Sequence, residues 1–233
     1  MKARVIDNHQ ETYNVKVLKI KPETSLSFKP GQFIMVNHNA IKDGNKIDVK
    51  RPYSICSSPL NKDYIELAFD IKPNGLVSRY LYNLKANDYI EISPPNGFFT
   101  FEDSIKENLV LIGAGTGIAS LIGIIRHVKE RNLKNKITLI YSCKTKNDII
   151  YHNEIKNIKN HLKNFDFYIT LTQDNEWNGL KGRVDFDMLK SIIDDFDNKL
   201  FYICGPPLMV LDISKMIQSL GVEKEKIKIE GYE

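Results

Sequence analysis

Leu109-Val110-Leu111-Ile112-Gly113-Ala114-Gly115-Thr116-Gly117 is the stretch that decides the fold class of this 233-residue chain. Its apolar residues are enough for a buried strand, and they run directly into three closely spaced glycines. An apolar stripe at helical spacing follows, formed by Ile118, Leu121, Ile122 and Ile125. Glycines at such a turn let backbone N–H groups approach a pyrophosphate, and the helix N-terminus adds a favourable partial charge. The stretch predicts a nucleotide-binding turn, or merely a tight turn between two buried elements.

The glycine spacing narrows the choice of nucleotide. It is G-x-G-x-G, and Ile118 stands where the pattern G-x-G-x-x-G has its third glycine. The turn lacks the lysine of a P-loop, so ATP hydrolysis is not expected.

Residues 108–125 form an uncharged stretch whose length is at the lower limit for crossing a membrane. The glycines in its first half favour a turn instead. No membrane insertion is expected.

The alternation of strand and helix continues to the end of the chain. Further buried strands are predicted at 137–142, 167–171, 200–204 and 227–230, with amphipathic helices between them. The last helix is predicted to begin at Pro206-Pro207, since proline suits a first turn. Five strands in such alternation predict an α/β domain with an open parallel sheet and helices on both faces.

The first hundred residues follow a different pattern. Short β-rich runs at 15–20, 32–36 and 64–69 are separated by turn residues, which is typical of an antiparallel barrel or sandwich. One helical stretch, at about 76–84, interrupts them. A charged stretch near 102–106 marks the change of pattern, so two domains are predicted, residues 1–104 and residues 105–233.

Charge and cysteine usage exclude several classes of protein. The 33 Lys and Arg residues nearly balance 29 Asp and Glu, and both signs are interspersed, which argues against a nucleic-acid binder. Cys56, Cys143 and Cys204 are too far apart for a disulfide framework or a metal-ligand set, and the five histidines show no ligand spacing either. No metal site is therefore predicted. With no apolar signal region at the N-terminus, a reducing, cytoplasmic setting is expected.

Cys204-Gly205-Pro206-Pro207 ends the fourth strand of the α/β half. Ligands of doubly wound sheets bind beyond the carboxyl ends of the strands, where the strand order reverses. If that reversal lies between the first and fourth strands, this segment faces the 113–117 turn across one crevice. The alternative is that Cys204 is a buried, unreactive residue at the end of a strand.

Two motifs of the first half also suggest ligand contacts. In Arg51-Pro52-Tyr53-Ser54 a planar guanidinium, a rigid proline, an aromatic ring and a hydroxyl could clamp a phosphate and cover a flat heterocycle. Gly75-Leu76-Val77-Ser78 precedes the lone helix and offers a second phosphate cradle. An ordinary strand start and a plain N-cap are the respective alternatives.

Taken in their order along the chain, these four motifs resemble those of the ferredoxin–NADP reductase superfamily. That superfamily includes cytochrome b5 reductases, oxygenase reductase components and flavin reductases. The resemblance covers essentially the whole chain. It extends to Pro94-Pro95-Asn96-Gly97-Phe98-Phe99 and to Trp177-Asn178-Gly179 with the following Gly182-Arg183-Val184. It implies a six-stranded antiparallel barrel that binds FAD in residues 1–104, then a five-stranded domain that binds NADH or NADPH in residues 105–233.

The resemblance also implies roles for individual residues. Arg51 would contact the flavin's phosphate, Tyr53 would pack on the isoalloxazine and Ser54 would lie near flavin N5. The segment from Gly75 to Ser78 would hold the pyrophosphate. Pro52 and the turn residues Gly113, Gly115 and Gly117 complete the motifs expected to bind cofactor, together with Gly205 and Pro206.

The second half would supply the nicotinamide side of the site. Thr116 would lie where the nicotinamide cofactor enters, and Cys204 near the carbon that gives up hydride. Plant-type members end in E-x-Tyr, whose ring covers the flavin and whose carboxylate helps proton exchange. Glu230 and Tyr232 match that pattern, although Glu233 follows here, and a frayed tail is the alternative.

The implied activity is hydride transfer from NADH or NADPH to flavin, then delivery of electrons to a separate ferredoxin-like or other protein. No Cys-rich ferredoxin segment occurs in the chain. The alternatives are reduction of diffusible flavin or another small acceptor, and a non-catalytic electron-relay subunit of a larger complex. Ser142 and Lys144 could contact a 2′-phosphate, which favours NADPH slightly. NADP-binding members often have an arginine after the third strand, and Thr172-Gln173-Asp174 stands there in this chain, which weakens that preference.

Overall fold

The structure is a computed structural model that describes residues 1–232, and it divides into two compact units. Unit 1 holds Met1–Glu102 and Ile122–Glu130. Unit 2 holds Asp103–Leu121 and Arg131–Glu233, of which Glu233 lies outside the described residues.

Unit 1 is built on a six-stranded antiparallel sheet. Its elements are β1 (Lys2–Gln10), β2 (Val15–Pro22), β3 (Phe33–Lys42), β4 (Asn45–Ser54), β5 (Ile65–Asp70), α1 (Leu76–Asn83) and β6 (Tyr89–Ile92). The strand order is β4-β3-β6-β1-β2-β5, and a bridge between Ile55 and Leu67 joins the two edges. The predicted antiparallel barrel is therefore confirmed.

Three barrel strands were predicted from their apolar runs, and three were not. The runs at 15–20, 32–36 and 64–69 lie in β2, β3 and β5. None of the residues of β4 is buried, because β4 is an edge strand, so it has little hydrophobic alternation. Arg51–Ser54 end this strand rather than start it.

Helix α1 covers one end of the barrel core. Val77 and Leu81 bury their side chains among the core residues of the strands. The side-chain amide of Asn8, on β1, donates to the carbonyls of Leu81 at 2.9 Å and Leu84 at 2.8 Å. The last carbonyls of a helix have no partners within it, so this contact fixes the end of α1 to the barrel.

Residues Ile122–Glu130 of helix α2 (Ile118–Glu130) belong to unit 1. A Cβ at Gly123 would come within 2.8 Å of the Ile55 carbonyl oxygen, so only glycine permits this close approach. Arg126 donates to the carbonyl of Cys56 at 2.9 Å and to Glu66 at 2.7 Å. The Glu66 carboxylate is buried, and a buried charge requires such a partner.

Unit 2 is an α/β unit with a parallel sheet. Besides the start of α2, its elements are β7 (Asn108–Ala114), β8 (Ile137–Cys143), α3 (His152–His161), β9 (Phe165–Leu171), β10 (Leu180–Lys181), α4 (Phe186–Ile192), β11 (Lys199–Gly205), α5 (Pro207–Ser219) and β12 (Ile227–Gly231). The five predicted strands are confirmed. The sheet has a sixth, β10, and two residues are too few to produce a periodic signal.

The strand order of unit 2 is β10-β9-β8-β7-β11-β12. The chain builds outward from β7 in one direction, then returns to place β11 and β12 on its other side. The order therefore reverses between β7 and β11, where an α/β sheet forms its ligand crevice.

The uncharged stretch 108–125 forms β7, a turn and the first half of α2. Within residues 1–232, no helix combines the length and apolar character that crossing a membrane requires.

Candidate functional site

The Gly113–Gly117 turn lies at the point where the strand order of unit 2 reverses. Gly113 pairs with Cys204 of β11 on one side and with Tyr141 of β8 on the other. Gly115–Gly117 form one 3₁₀ turn that leads directly into α2. Gly115 has φ +53°, and a side chain there would meet no atom within 4 Å, so the surface above this turn is open. Thr116 is half-buried beside it.

Two tyrosine hydroxyls hold the carbonyl groups of this turn. Tyr141 Oη donates to the Gly115 carbonyl at 2.9 Å, and Tyr232 Oη donates to the Ala114 carbonyl at 2.9 Å. Burial raises the pKa of the Tyr141 phenol well above its ordinary value, so the donor stays protonated. Both carbonyls are thus bound within the unit, and backbone N–H groups at such a turn are suited to an anion.

Cys204 lies in a polar cluster with Ser120 and Glu230, of which Cys204 and Ser120 are buried and Glu230 is half-buried. Ser120 Oγ donates to Glu230 Oε1 at 2.9 Å and lies 3.5 Å from Cys204 Sγ. Cys204 Sγ is 3.7 Å from the same Oε1 atom. Burial, and then the charge of Glu230, strongly raise the pKa of the Cys204 thiol, so the sulfur is a thiol and not a nucleophilic thiolate.

The end of the chain is bound to the same edge of the sheet. The Tyr232 amide donates to the Gly205 carbonyl at 3.2 Å, in addition to the hydroxyl contact with Ala114. These bonds hold the chain through Tyr232 against unit 2, contrary to the frayed-tail alternative. Pro206 is exposed and precedes α5, which begins at Pro207.

The residues proposed for a 2′-phosphate lie at the end of β8. Ser142 is buried and pairs with Ala114, whereas Lys144 is exposed beyond the strand. Asp148 accepts from the Thr145 amide at 2.9 Å and from the Thr145 hydroxyl at 2.6 Å, so its carboxylate caps a local turn. The first acid after β8 is therefore committed to that turn.

Arg51 and Tyr53 lie on one face of β4 in unit 1, since alternate residues of a strand share a face. Tyr53 is half-buried and packs edge-on against Phe69, with the ring centroids 6.0 Å apart. Burial, and then the charge of Asp70, raise the pKa of Tyr53, while Arg51 opposes the shift. Arg51 is exposed and donates to the Lys50 carbonyl at 2.8 Å, which leaves most of its N–H donors for an anion. Ser54 points to the other face.

The first turn of α1 provides backbone donors near this face. The helix packs against β3 and β4, and the Tyr80 ring stacks on His38 of β3 with the centroids 4.0 Å apart. The first intrahelical bond runs from the Arg79 amide to the Gly75 carbonyl, and no side chain caps the helix. The amides of residues 76–78 therefore precede it and have no partner within the helix.

The side chains of this motif do not face outward. Val77 and Ser78 are buried, and the Ser78 hydroxyl accepts from the Lys72 amide at 3.2 Å. A Cβ at Gly75 would clash with Ser78 Oγ, so this turn excludes other residues. Only the backbone of the motif is available to a phosphate. With Arg51 and Tyr53 it supplies the anion donors and the aromatic surface that FAD requires, so these residues fit the cofactor.

Sequence reasoning missed two residues of unit 2, Ser120 and Tyr141. Ser120 lies within an apolar helix and Tyr141 within an apolar strand, so both could be taken as core. A polar atom in a fully buried stretch was the available signal, because such an atom requires a partner. Within residues 1–232, no group of three or more His, Cys, Asp or Glu side chains could hold a metal ion.

Comparisons with known proteins match both halves of the chain. Residues 2–101 match the family model of an oxidoreductase FAD-binding domain, and residues 111–215 match that of an oxidoreductase NAD-binding domain. NADH-cytochrome b5 reductase 1 of Lodderomyces elongisporus is 30% identical over 232 residues, which are 97% of this chain and 76% of the relative.

A second relative is longer than this chain. The Na(+)-translocating NADH-quinone reductase of Marinomonas sp. has a subunit that is 29% identical over 212 residues, which are 83% of this chain. The chain spans only 52% of that relative's length. Among solved structures, the flavohem-like FAD/NAD-binding domain of a Vibrio cholerae nitric oxide dioxygenase superposes with a TM-score of 0.89 at 23% identity, covering 99% of this chain and 98% of that one.

Proposed function

The chain belongs to the oxidoreductase family whose members join an FAD-binding domain to a NAD-binding domain, and we propose that it is a flavoprotein reductase. It takes a hydride from NADH or NADPH and passes the electrons to a separate acceptor. Residues 1–104 hold FAD, and residues 105–233 hold the nicotinamide nucleotide. One observation carries the proposal: each half has its own set of donors suited to a dinucleotide.

In unit 1, Arg51 and the first amides of α1 bind the phosphates of FAD. Tyr53 offers its neutral ring to the flavin, because its raised pKa keeps the phenol protonated. Ser54, on the opposite face of β4, is assigned to flavin N5 by the resemblance alone. When bound, FAD supplies the hydride acceptor and the capacity to release electrons to a partner.

In unit 2, the amides of the Gly113–Gly117 turn bind the pyrophosphate of the nucleotide. The resemblance places Cys204 beside the nicotinamide; its thiol is fully buried, so it supports that edge from within, next to Ser120 and Glu230. Glu230 places a carboxylate at the same edge of the sheet, and Tyr232 holds that edge to the turn through the Ala114 carbonyl. Hydride transfer requires near-contact geometry, so alignment is the main contribution of these residues.

The choice between NADH and NADPH depends on the end of β8. Lys144 is exposed there, which supports contact with a 2′-phosphate, whereas the burial of Ser142 does not. Asp148, the first acid after β8, is committed to Thr145, which weakens the case for a carboxylate on the ribose of NADH. The ratio of kcat/KM for the two nucleotides measures the preference.

The acceptor is proposed to be a separate redox protein or a small molecule. One relative is named for cytochrome b5 and another for quinone, which supports an acceptor outside this chain. A cytoplasmic location is proposed as well, supported by three buried cysteines that form no disulfide within residues 1–232, which suits a reducing compartment.

The test is the absorption spectrum of the purified protein under anaerobic conditions. Spectra are recorded as isolated, after reconstitution with FAD, and after separate additions of NADH and NADPH. ADP-ribose serves as the matched control, because it has the nucleotide's pyrophosphate and lacks the ring that donates hydride. We expect a yellow protein whose flavin band bleaches with one or both reduced nucleotides and stays unchanged with ADP-ribose.

Other results would replace the proposal. A colourless protein that is active only with added diffusible flavin would indicate a flavin reductase. A protein that binds nucleotide and never reduces flavin would indicate an electron-relay subunit. A protein that binds neither FAD nor nucleotide would exclude all three activities.

A further inference from the structure

Ser120 has no place in any of the sequence motifs, yet two polar groups from distant parts of unit 2 meet at its hydroxyl. The residue is fully buried in the first turn of α2. Its Oγ atom donates to Glu230, 110 residues away, and lies 3.5 Å from the sulfur of Cys204, 84 residues away. A fully buried hydroxyl with such partners is part of a built polar cluster and is not a surface contact.

The position of Ser120 follows from the glycine one turn earlier. A Cβ at Gly117 would clash with the backbone carbonyl of Cys204, so α2 starts directly against β11. Residues three apart share a helix face, so Ser120 continues the face that Gly117 presents to Cys204. Cys204 and Glu230 are paired residues of β11 and β12, so one hydroxyl reaches both.

The geometry of the cluster fixes the Glu230 carboxylate. The Ser120 hydroxyl donates to Glu230 Oε1 at 2.9 Å, and the Cys204 thiol faces the same oxygen at 3.7 Å. A hydrogen bond donated to a carboxylate oxygen fixes the orientation of the group. The cluster therefore holds the Glu230 carboxylate in a fixed place at the carboxyl ends of β11 and β12.

We propose that Ser120 is a positioning residue that directs the Glu230 carboxylate toward the nicotinamide ring and thereby favours the oxidised nucleotide over the reduced one. The inference rests on the proposed function, since it requires nicotinamide at this edge of the sheet. The oxidised ring is positively charged and the reduced ring is neutral, so a fixed carboxylate attracts only the oxidised form.

The experiment measures equilibrium binding rather than turnover. Purified wild type, Ser120→Ala and Ser120→Thr are titrated calorimetrically with NAD⁺, NADH and ADP-ribose, and with their 2′-phosphorylated counterparts. Ser214→Ala is the matched control, because Ser214 is also a buried helical serine and accepts from Gln218 at 3.1 Å in α5. ADP-ribose lacks the nicotinamide ring, so it reports on the pyrophosphate contacts alone.

We expect Ser120→Ala to lower the ratio of oxidised to reduced affinity by about tenfold, the effect of losing one hydrogen bond to a charged group. Ser120→Thr keeps the hydroxyl and should keep the ratio, as should Ser214→Ala. Glu230→Gln should lower the ratio by a similar factor. Adding Ser120→Ala to Glu230→Gln should then change little, because the serine acts through the carboxylate.

Each contrary result has a distinct meaning. If Ser120→Ala weakens ADP-ribose as much as NAD⁺, the residue only supports the fold and the inference is wrong. If the wild type binds all three nucleotides and the ratio does not change in Ser120→Ala, the inference fails and the proposed function stands. If the wild type binds none of them, both fail. Should Ser120→Ala not fold, the near-isosteric Glu230→Gln decides alone, and an unchanged ratio there overturns the inference.

Discussion

Gly117→Ala tests how closely α2 approaches β11. The added Cβ would lie 2.7 Å from the Cys204 carbonyl carbon and 2.9 Å from Tyr232 Oη, and would overlap the Cys204 carbonyl oxygen. Backbone atoms cannot rotate away as a side chain does, so the first turn of α2 must move. Forcing one extra carbon into a packed site costs about 1–3 kcal/mol.

That cost should appear mainly as weaker nucleotide binding, since the displaced turn carries the amides proposed to bind pyrophosphate. If the whole cost falls on binding, affinity for ADP-ribose drops by about 5- to 150-fold. Isothermal calorimetry measures this loss, and urea unfolding measures any part that falls on stability. FAD retention should not change, because its proposed contacts lie in unit 1.

Two other glycines serve as controls for this substitution. Gly115 has φ +53° with open space around it, so Gly115→Ala introduces backbone strain without a clash. Gly221, after α5, has φ +92° and open space as well, and lies in a different loop. Gly221→Ala should lose stability alone. If Gly117→Ala matches the wild type in both affinity and stability, the close approach of α2 to Cys204 is wrong.

Three further substitutions test the remaining contacts. Arg51→Ala should weaken FAD retention by roughly 10- to 100-fold, the effect of losing a hydrogen bond to a charged group. Arg51→Lys should weaken it less, because lysine keeps the positive charge. Full flavin occupancy of the alanine variant after dialysis would contradict the assignment of Arg51 to the phosphate. Cys204→Ala should slow flavin reduction about tenfold in stopped flow, because the nicotinamide ring would be misaligned. Cys143→Ala, which changes another buried cysteine, is the control. A rate equal to that of the wild type for Cys204→Ala would show that Cys204 only packs. Glu66→Ala removes the carboxylate that lies 2.7 Å from the Arg126 guanidinium and should lower the free energy of unfolding in urea by roughly 3 kcal/mol. Replacing both residues by Met should recover most of that loss. An unchanged urea midpoint for Glu66→Ala would show that the ion pair contributes nothing.

Local pattern was sufficient for much of the architecture. The apolar strand, the glycines and the helical stripe of 109–125 predicted β7, a turn and α2, and the same alternation predicted the other four long strands of unit 2. Periodicity of this kind depends on which face of an element is buried, so it is visible in the spacing of apolar residues along the sequence. Where that face is weak, as in the edge strand β4, the pattern did not predict the element.

Tertiary structure alone decided which distant groups meet. No spacing in the chain relates Ser120 to Glu230, or Tyr141 to the Gly115 carbonyl, because these contacts depend on the order and register of the strands. The strand order also placed Gly113 beside Cys204. The sequence alone predicted this only if the strand order reversed between the first and fourth strands of the α/β half. Patterning reports whether a residue is buried, whereas the partner of a buried polar atom is set by packing between elements far apart in the chain. The sequence by itself therefore determined most of the elements and the glycine turn between β7 and α2, and the packed sheet determined the hydrogen-bonded cluster around Cys204.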